Sequence, residues 1–146
     1  RQRKNGEKYM GTSAHIYNSP ALTHFYLQCK NFANINYVQM AGIRKKCLEW
    51  ISKGNLLKVE MFVAFENGRV WTKDGQPQQI DADNRIKPMQ DGLSKMLSID
   101  DRWFFCASIE KVTCDSKESE CISIRITPQK ARTLQEIKNL RIMGGS

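Results

Sequence analysis

The chain has 146 residues and a mass of 16.8 kDa, with 40% apolar and 26% charged residues and a formal charge of +8; a single domain of this size buries about two-thirds of its unfolded surface without disulfide staples. No run approaches the ~20 apolar residues of a membrane span, and the basic N-terminus lacks the apolar core of a secretion signal, so a cytoplasmic location is the default expectation. The sequence pI near 9.4 favours polyanionic partners, with nucleic acid ahead of a membrane surface because no basic amphipathic anchor stands out.

In chain order, residues Arg1 to Lys8 carry four bases and one acid without apolar periodicity, and read as a flexible basic arm. Tyr9 to Asn36 is aromatic but poorly patterned, and supports at most a short strand around His24 to Gln28. From Tyr37 to Lys53, Met40, Ile43, Cys47, Trp50 and Ile51 recur at helical spacing, with Arg44, Lys45 and Lys46 outside the apolar stripe and Gly54 as a stop. Leu57 to Phe65 reads as a strand entering the middle of a sheet. Asn67-Gly68 predicts a two-residue hairpin returning through Val70 to Thr72, and Asp74-Gly75-Gln76-Pro77 breaks that pairing.

The segment from Ile80 to Asp101 holds five of the seven aspartates, Asp81, Asp83, Asp91, Asp100 and Asp101, against Arg85, Lys87 and Lys95. Gathered carboxylates repel, and folds that gather them offset the repulsion with a cation or use it in chemistry. Asp81 and Asp83 project the same way in extended backbone and make half of a hard-cation site. Ile86, Met89, Leu93, Met96 and Leu97 then form a helical stripe, with Asp83 or Asn84 as its cap. Pro88 belongs in the first turn and keeps Lys87 within one turn of the acidic pair, where an ammonium can neutralise a phosphate oxygen. The helix returns the chain to Asp100-Asp101, which brings a third carboxylate within range.

Beyond it, Trp103 to Val112 and Cys121 to Thr127 read as two strands joined by a polar turn at Asp115 to Ser119, the second ended by Pro128. Ala131 to Ile142 is helical by the spacing of Leu134, Ile137 and Leu140, and residues 143–146 read as a flexible tail. The order helix, hairpin, helix, hairpin, helix predicts one α+β (α/β) domain over residues 1–146, with a mixed sheet of about four to five strands flanked by helices. Five cysteines, with no CxxC pair and only His15 and His24 to assist them, read as reduced thiols, mostly in the core, without a disulfide framework or zinc site.

On composition alone, Asp-x-Asp-Asn also reads as a self-capped turn and Asp100-Asp101 as a solvated loop. An EF-hand is rejected, because Arg85 and Ile86 stand where that loop wants Asp or Asn and then Gly. A Ser-His-Asp or Cys-His nucleophile is poorly supported, since both histidines lie in the unpatterned N-terminal region.

The run Asp81-Ala-Asp83-Asn84-Arg-Ile-Lys87-Pro88-Met-Gln-Asp91-Gly-Leu93, followed by Asp100-Asp101, resembles the signature of the RusA family of Holliday junction resolvases. The resemblance follows the element order from Leu57 to about Thr127 and is dense between Asp81 and Asp101. It implies a RusA-like fold in a bacterial or phage-infected cell. The implied enzyme is a homodimeric, Mg²⁺-dependent crossover junction endodeoxyribonuclease that nicks opposing strands of a four-way DNA junction, with Mn²⁺ as a substitute metal. By position, Asp81, Asp83 and Asp101 match the family's metal-binding acids and Lys87 its essential lysine, while Asn84, Asp91 and Asp100 match further motif positions, Asp100 beside the metal. Arg44, Lys45, Lys46, Arg85, Lys130 and Arg132 are the candidate phosphate contacts, and binding through them weakens steeply with salt. The alternatives are a related nuclease acting on flaps, forks or other DNA, a non-catalytic binder of DNA structures, and an interaction protein with no nucleic-acid role.

Overall fold

The computed structural model describes residues 20–80 and 83–143; the N-terminal arm, Asp81 and the tail residues 144–146 lie outside them. Two consecutive helices open the described chain, α1 (Pro20–Ile35) and α2 (Tyr37–Ser52). They are joined at Asn36, whose amide N–H and side-chain Nδ2 both donate to Phe32 O at 2.9 Å. The short strand expected at His24 to Gln28 is therefore corrected to helix. Leu27, Phe32 and Ile35 are exposed while Leu22 is buried and Phe25 packs on the core, so apolar residues lie all round α1 and no clean stripe marks it in the sequence. The helix α2 matches its expected span, and Gly54 stops it at φ 87°, a left-handed conformation that glycine takes without penalty.

The centre of the fold is β1 (Leu56–Glu66). Leu57, Val59, Met61, Val63 and Phe65 point to the helices and are 0 to 3% exposed; the alternation of the strand sends Lys58, Glu60 and Phe62 to the opposite face. Among the described residues the sheet has three strands in the order β2-β1-β3, with β2 (Phe104–Cys114) parallel to β1 and β3 (Cys121–Gln129) antiparallel to it. This corrects the expected four to five strands. It also removes both expected hairpins, for one reason: each edge of β1 is already paired.

The chain leaving β1 at Asn67-Gly68 has no edge to return along, and it forms a helical turn over Asn67–Val70. Glu120 holds that corner, accepting the Glu66 amide and the Arg69 guanidinium, each at 2.7 Å. The tight turn comes one step later, where Gly75 at φ 78° lets Trp71 bridge to Pro77. Likewise the link after β2 carries the chain across the end of β1 to its far edge, through a 3-10 turn at Lys117–Ser119. Ile122, Ile124 and Ile126 of β3 pair with Val63, Met61 and Val59. The strand runs one residue past Pro128, which an edge strand tolerates because it needs no outward donor.

Between β1 and β2 the chain makes a 3-10 turn (Asp83–Arg85) and then helix α3 (Ile86–Leu97), with Arg85, and not the expected Asp83 or Asn84, at the N-cap position. Met89, Leu93 and Leu97 are buried as the stripe predicts, and Gly92 lies where a Cβ would sit 2.9 Å from Cys29 Sγ and 3.2 Å from the Phe25 ring. The last helix, α4 (Leu134–Met143), begins three residues later than expected. Thr133 and Glu136 form a capping box there, the Thr133 amide donating to Glu136 Oε1 and the Glu136 amide to Thr133 Oγ1. Of the five cysteines only Cys47 is buried, and Cys121 is exposed. The expectation of mostly core thiols fails because the register places Cys106, Cys114 and Cys121 on the sheet face away from the helices. No helix among the described residues is long and apolar enough to cross a membrane.

Candidate active site

Three of the singled-out side chains meet at α3. Lys87, in its first turn, donates through Nζ to Asp91 Oδ1 at 2.8 Å and to Asp101 Oδ2 at 3.1 Å. The Asp91 bond is a one-turn helical pair that on an exposed surface contributes only tenths of a kcal/mol. The bond to Asp101 requires the chain to come back. Ser98 caps α3 in the left-handed region at φ 53°, the Ile99 amide donates to Ser94 O at 3.2 Å, and Ser94 Oγ donates to Ile99 O at 2.5 Å. With Ile99 buried, Asp100 turns outward; its Oδ1 accepts the Arg102 amide at 2.9 Å and caps the 3-10 turn Asp101–Trp103. That cap presents Asp101 to Lys87.

The hydrogen bonds it donates, to Asp91 first and to Asp101 second, hold the Lys87 ammonium well above the usual lysine range. Lys87 is accordingly a fixed positive charge at neutral pH. It can stabilise developing negative charge on a phosphate and cannot act as a base there. Its side chain is 68% exposed, so an incoming anion reaches it from solvent.

Tyr26, on α1, completes the arrangement: its hydroxyl donates to Asp91 Oδ2 at 3.4 Å, and Lys95 Nζ lies 4.2 Å from its ring centroid. The sequence reading did not single out Tyr26. It stands 65 positions from Asp91 in a segment taken as irregular, and only a helical reading of α1 brings it near α3.

Asp81 lies outside the described residues, and of Asp83 only the backbone is described, as the opening of a 3-10 turn rather than extended chain. No group of three metal-binding side chains occurs among the described residues. What the described part contributes is a carboxylate, Asp101, adjoining the turn that carries Asp83's neighbours through Lys87; oxygen donors of this kind suit a hard dication such as Mg²⁺. Asn84 is exposed in the same turn.

The candidate phosphate contacts scatter. Arg85 is half-buried with its guanidinium 5.4 Å from the Phe65 ring centroid, a ring that Arg69 covers at 5.2 Å. Arg44, Lys45 and Lys46 are exposed along α2, and Lys130 and Arg132 lie in the exposed link from β3 to α4. Searches against protein-family models, curated proteins and solved structures give no match to this chain.

Proposed function

We propose that this protein is a Mg²⁺-dependent, structure-specific DNA endonuclease that acts as a homodimer and resolves four-way junctions by paired nicks. The observation that carries the reading is the Lys87 ammonium fixed between Asp91 and Asp101, residues that the family signature spaces across a helix and that the fold gathers at one place. The net charge of +8 supports a polyanionic substrate.

In this reading Asp81, Asp83 and Asp101 hold Mg²⁺, with Asp100 beside them and Mn²⁺ able to replace it. When bound, the ion supplies Lewis-acid stabilisation of the phosphodiester. Lys87 neutralises charge that builds on the phosphate oxygens, Asp91 keeps it oriented and protonated, and the exposed bases of α2 hold the flanking backbone.

Asp83→Asn tests the assignment on labelled junctions, flaps, forks and linear duplex, with Mg²⁺ and with EDTA. Junction binding stays intact and nicking is lost in the variant; cleavage at the wild-type rate overturns the proposal. Equal cutting of linear duplex by the wild-type protein removes the junction preference, and no turnover in either Mg²⁺ or Mn²⁺ makes the chain a binder of DNA structures.

A further inference from the structure

A groove of about 700 Å³ runs between α1, α2 and the C-terminal end of α3. Three cationic side chains line it, Lys30, Arg44 and Lys95, one from each helix, together with Tyr26 and Tyr37; among the described residues no acidic one does. The Tyr37 side belongs to the α1–α2 corner and is 69% exposed. An aromatic ring open to solvent beside a cationic groove offers a face on which a base can stack. Tyr26 joins the groove to the Lys87 cluster, since its ring lines the groove while its hydroxyl donates to Asp91. Lys95 lies two helical turns from Lys87 on α3, about 12 Å along the axis.

We propose that this groove is a track for an unpaired nucleic-acid strand, its phosphates on Lys30, Arg44 and Lys95 and a base stacked on Tyr37. A paired base keeps its faces inside the duplex and has nothing to offer Tyr37, whereas an unstacked base does. The charge complementarity selects a polyanion, and the ring selects a single strand over a duplex. This deepens the endonuclease reading and rests on it for the purpose of the strand: the groove would guide the strand that leaves the duplex at a branch point past Asp91 toward Lys87. A DNA or an RNA strand offers the same phosphates and base faces.

The test is fluorescence anisotropy of labelled oligothymidine and oligouridine with the full chain in EDTA, over a series of salt concentrations. Wild-type protein binds with a steep salt dependence, and unlabelled single strand competes better than duplex. Replacing Lys30 and Arg44 together by Ala lowers the slope of log affinity against log salt by about 1.4, at roughly 0.7 per single-strand phosphate contact. Tyr37→Ala weakens binding on the order of tenfold, while Tyr37→Phe keeps the ring and the affinity. Equal loss in Tyr37→Phe, unchanged affinity in all variants, or better competition by duplex overturns the proposal. Preference for thymidine or uridine decides between DNA and RNA as the occupant. Groove-dependent binding without any metal-dependent nicking would leave the track standing and remove the endonuclease, and nicking with groove-independent binding would do the reverse.

Discussion

Lys87 owes its state to two carboxylates that reach it by different routes. Asp91 is fixed by helical geometry alone, one turn further along α3, whereas Asp101 depends on the whole return through Ser98 and Ile99. The hydrogen bond that Lys87 donates to Asp91 is the largest cause of its raised pKa, so Asp91→Asn removes the largest contribution to the shift and leaves Asp101 as a single carboxylate partner. A base whose folded pKa is raised stays charged to higher pH, and its pairing is lost only as pH rises through that folded value. In the wild type the Lys87 charge therefore persists through the alkaline range. In Asp91→Asn the alkaline limb of the nicking rate, and the titration of the Lys87 Nζ resonance followed by NMR, both move to lower pH. A limb that stays in place while overall rate falls would mean that Asp91 acts through packing and not through the ammonium. Because Lys87 is largely exposed, water screens the pair, and the same substitution changes stability by no more than about 1 kcal/mol.

At the scale of elements, the contact of α1 with α3 is set by Gly92. An added methyl at that position meets Cys29 Sγ at 2.9 Å, closer than real contacts allow, and Phe25 at 3.2 Å, tighter than most, and both neighbours belong to a packed helix. Alanine improves intrinsic helix stability by up to about 1 kcal/mol, but overpacking costs about 1–3 kcal/mol, so Gly92→Ala lowers the thermal midpoint. Cys29→Ala in the same chain vacates the nearer contact and recovers part of the loss, which a pair of melting curves checks; a Gly92→Ala protein as stable as wild type would show that α1 moves away at no cost. That α1 needed the structure to be seen is a matter of pattern. Its apolar residues point both to the core and to solvent, and periodicity finds a helix only where one face is polar. The stripe of α3, the alternation of β1 and the stop at Gly54 were legible because each depends on residues a few positions apart. The strand order was not: Asn67-Gly68 forms a hairpin only if an edge of β1 is open, and that is decided by β2 and β3 far along the chain. The site divides the same way. Lys87 with Asp91 is a local pair, Asp101 was inferred from the return of the helix, and Tyr26 was invisible.

For the whole molecule, the described residues hold one cluster in which Lys87 joins Asp91 and Asp101, and in the proposed reaction one such cluster cuts one strand at a time. Paired nicks on opposing strands of a four-way junction need two, related by a two-fold axis that matches the symmetry of the junction. The homodimer is thus a consequence of the proposed reaction and can be tested apart from any knowledge of its interface. Sedimentation equilibrium with junction DNA is expected to show two copies of the 16.8 kDa chain per junction. Mixing wild-type protein with a large excess of Asp83→Asn then places most wild-type chains in dimers with an inactive partner. Such dimers release singly nicked junctions that still migrate as four-way species under native conditions, while wild-type dimers release linear duplex products. If two copies act independently, the excess variant only slows the reaction by competing for DNA, and the ratio of single to paired nicks stays as it is in the wild type. A rise in single nicks with the fraction of variant requires that the two clusters sit on one junction at the same time.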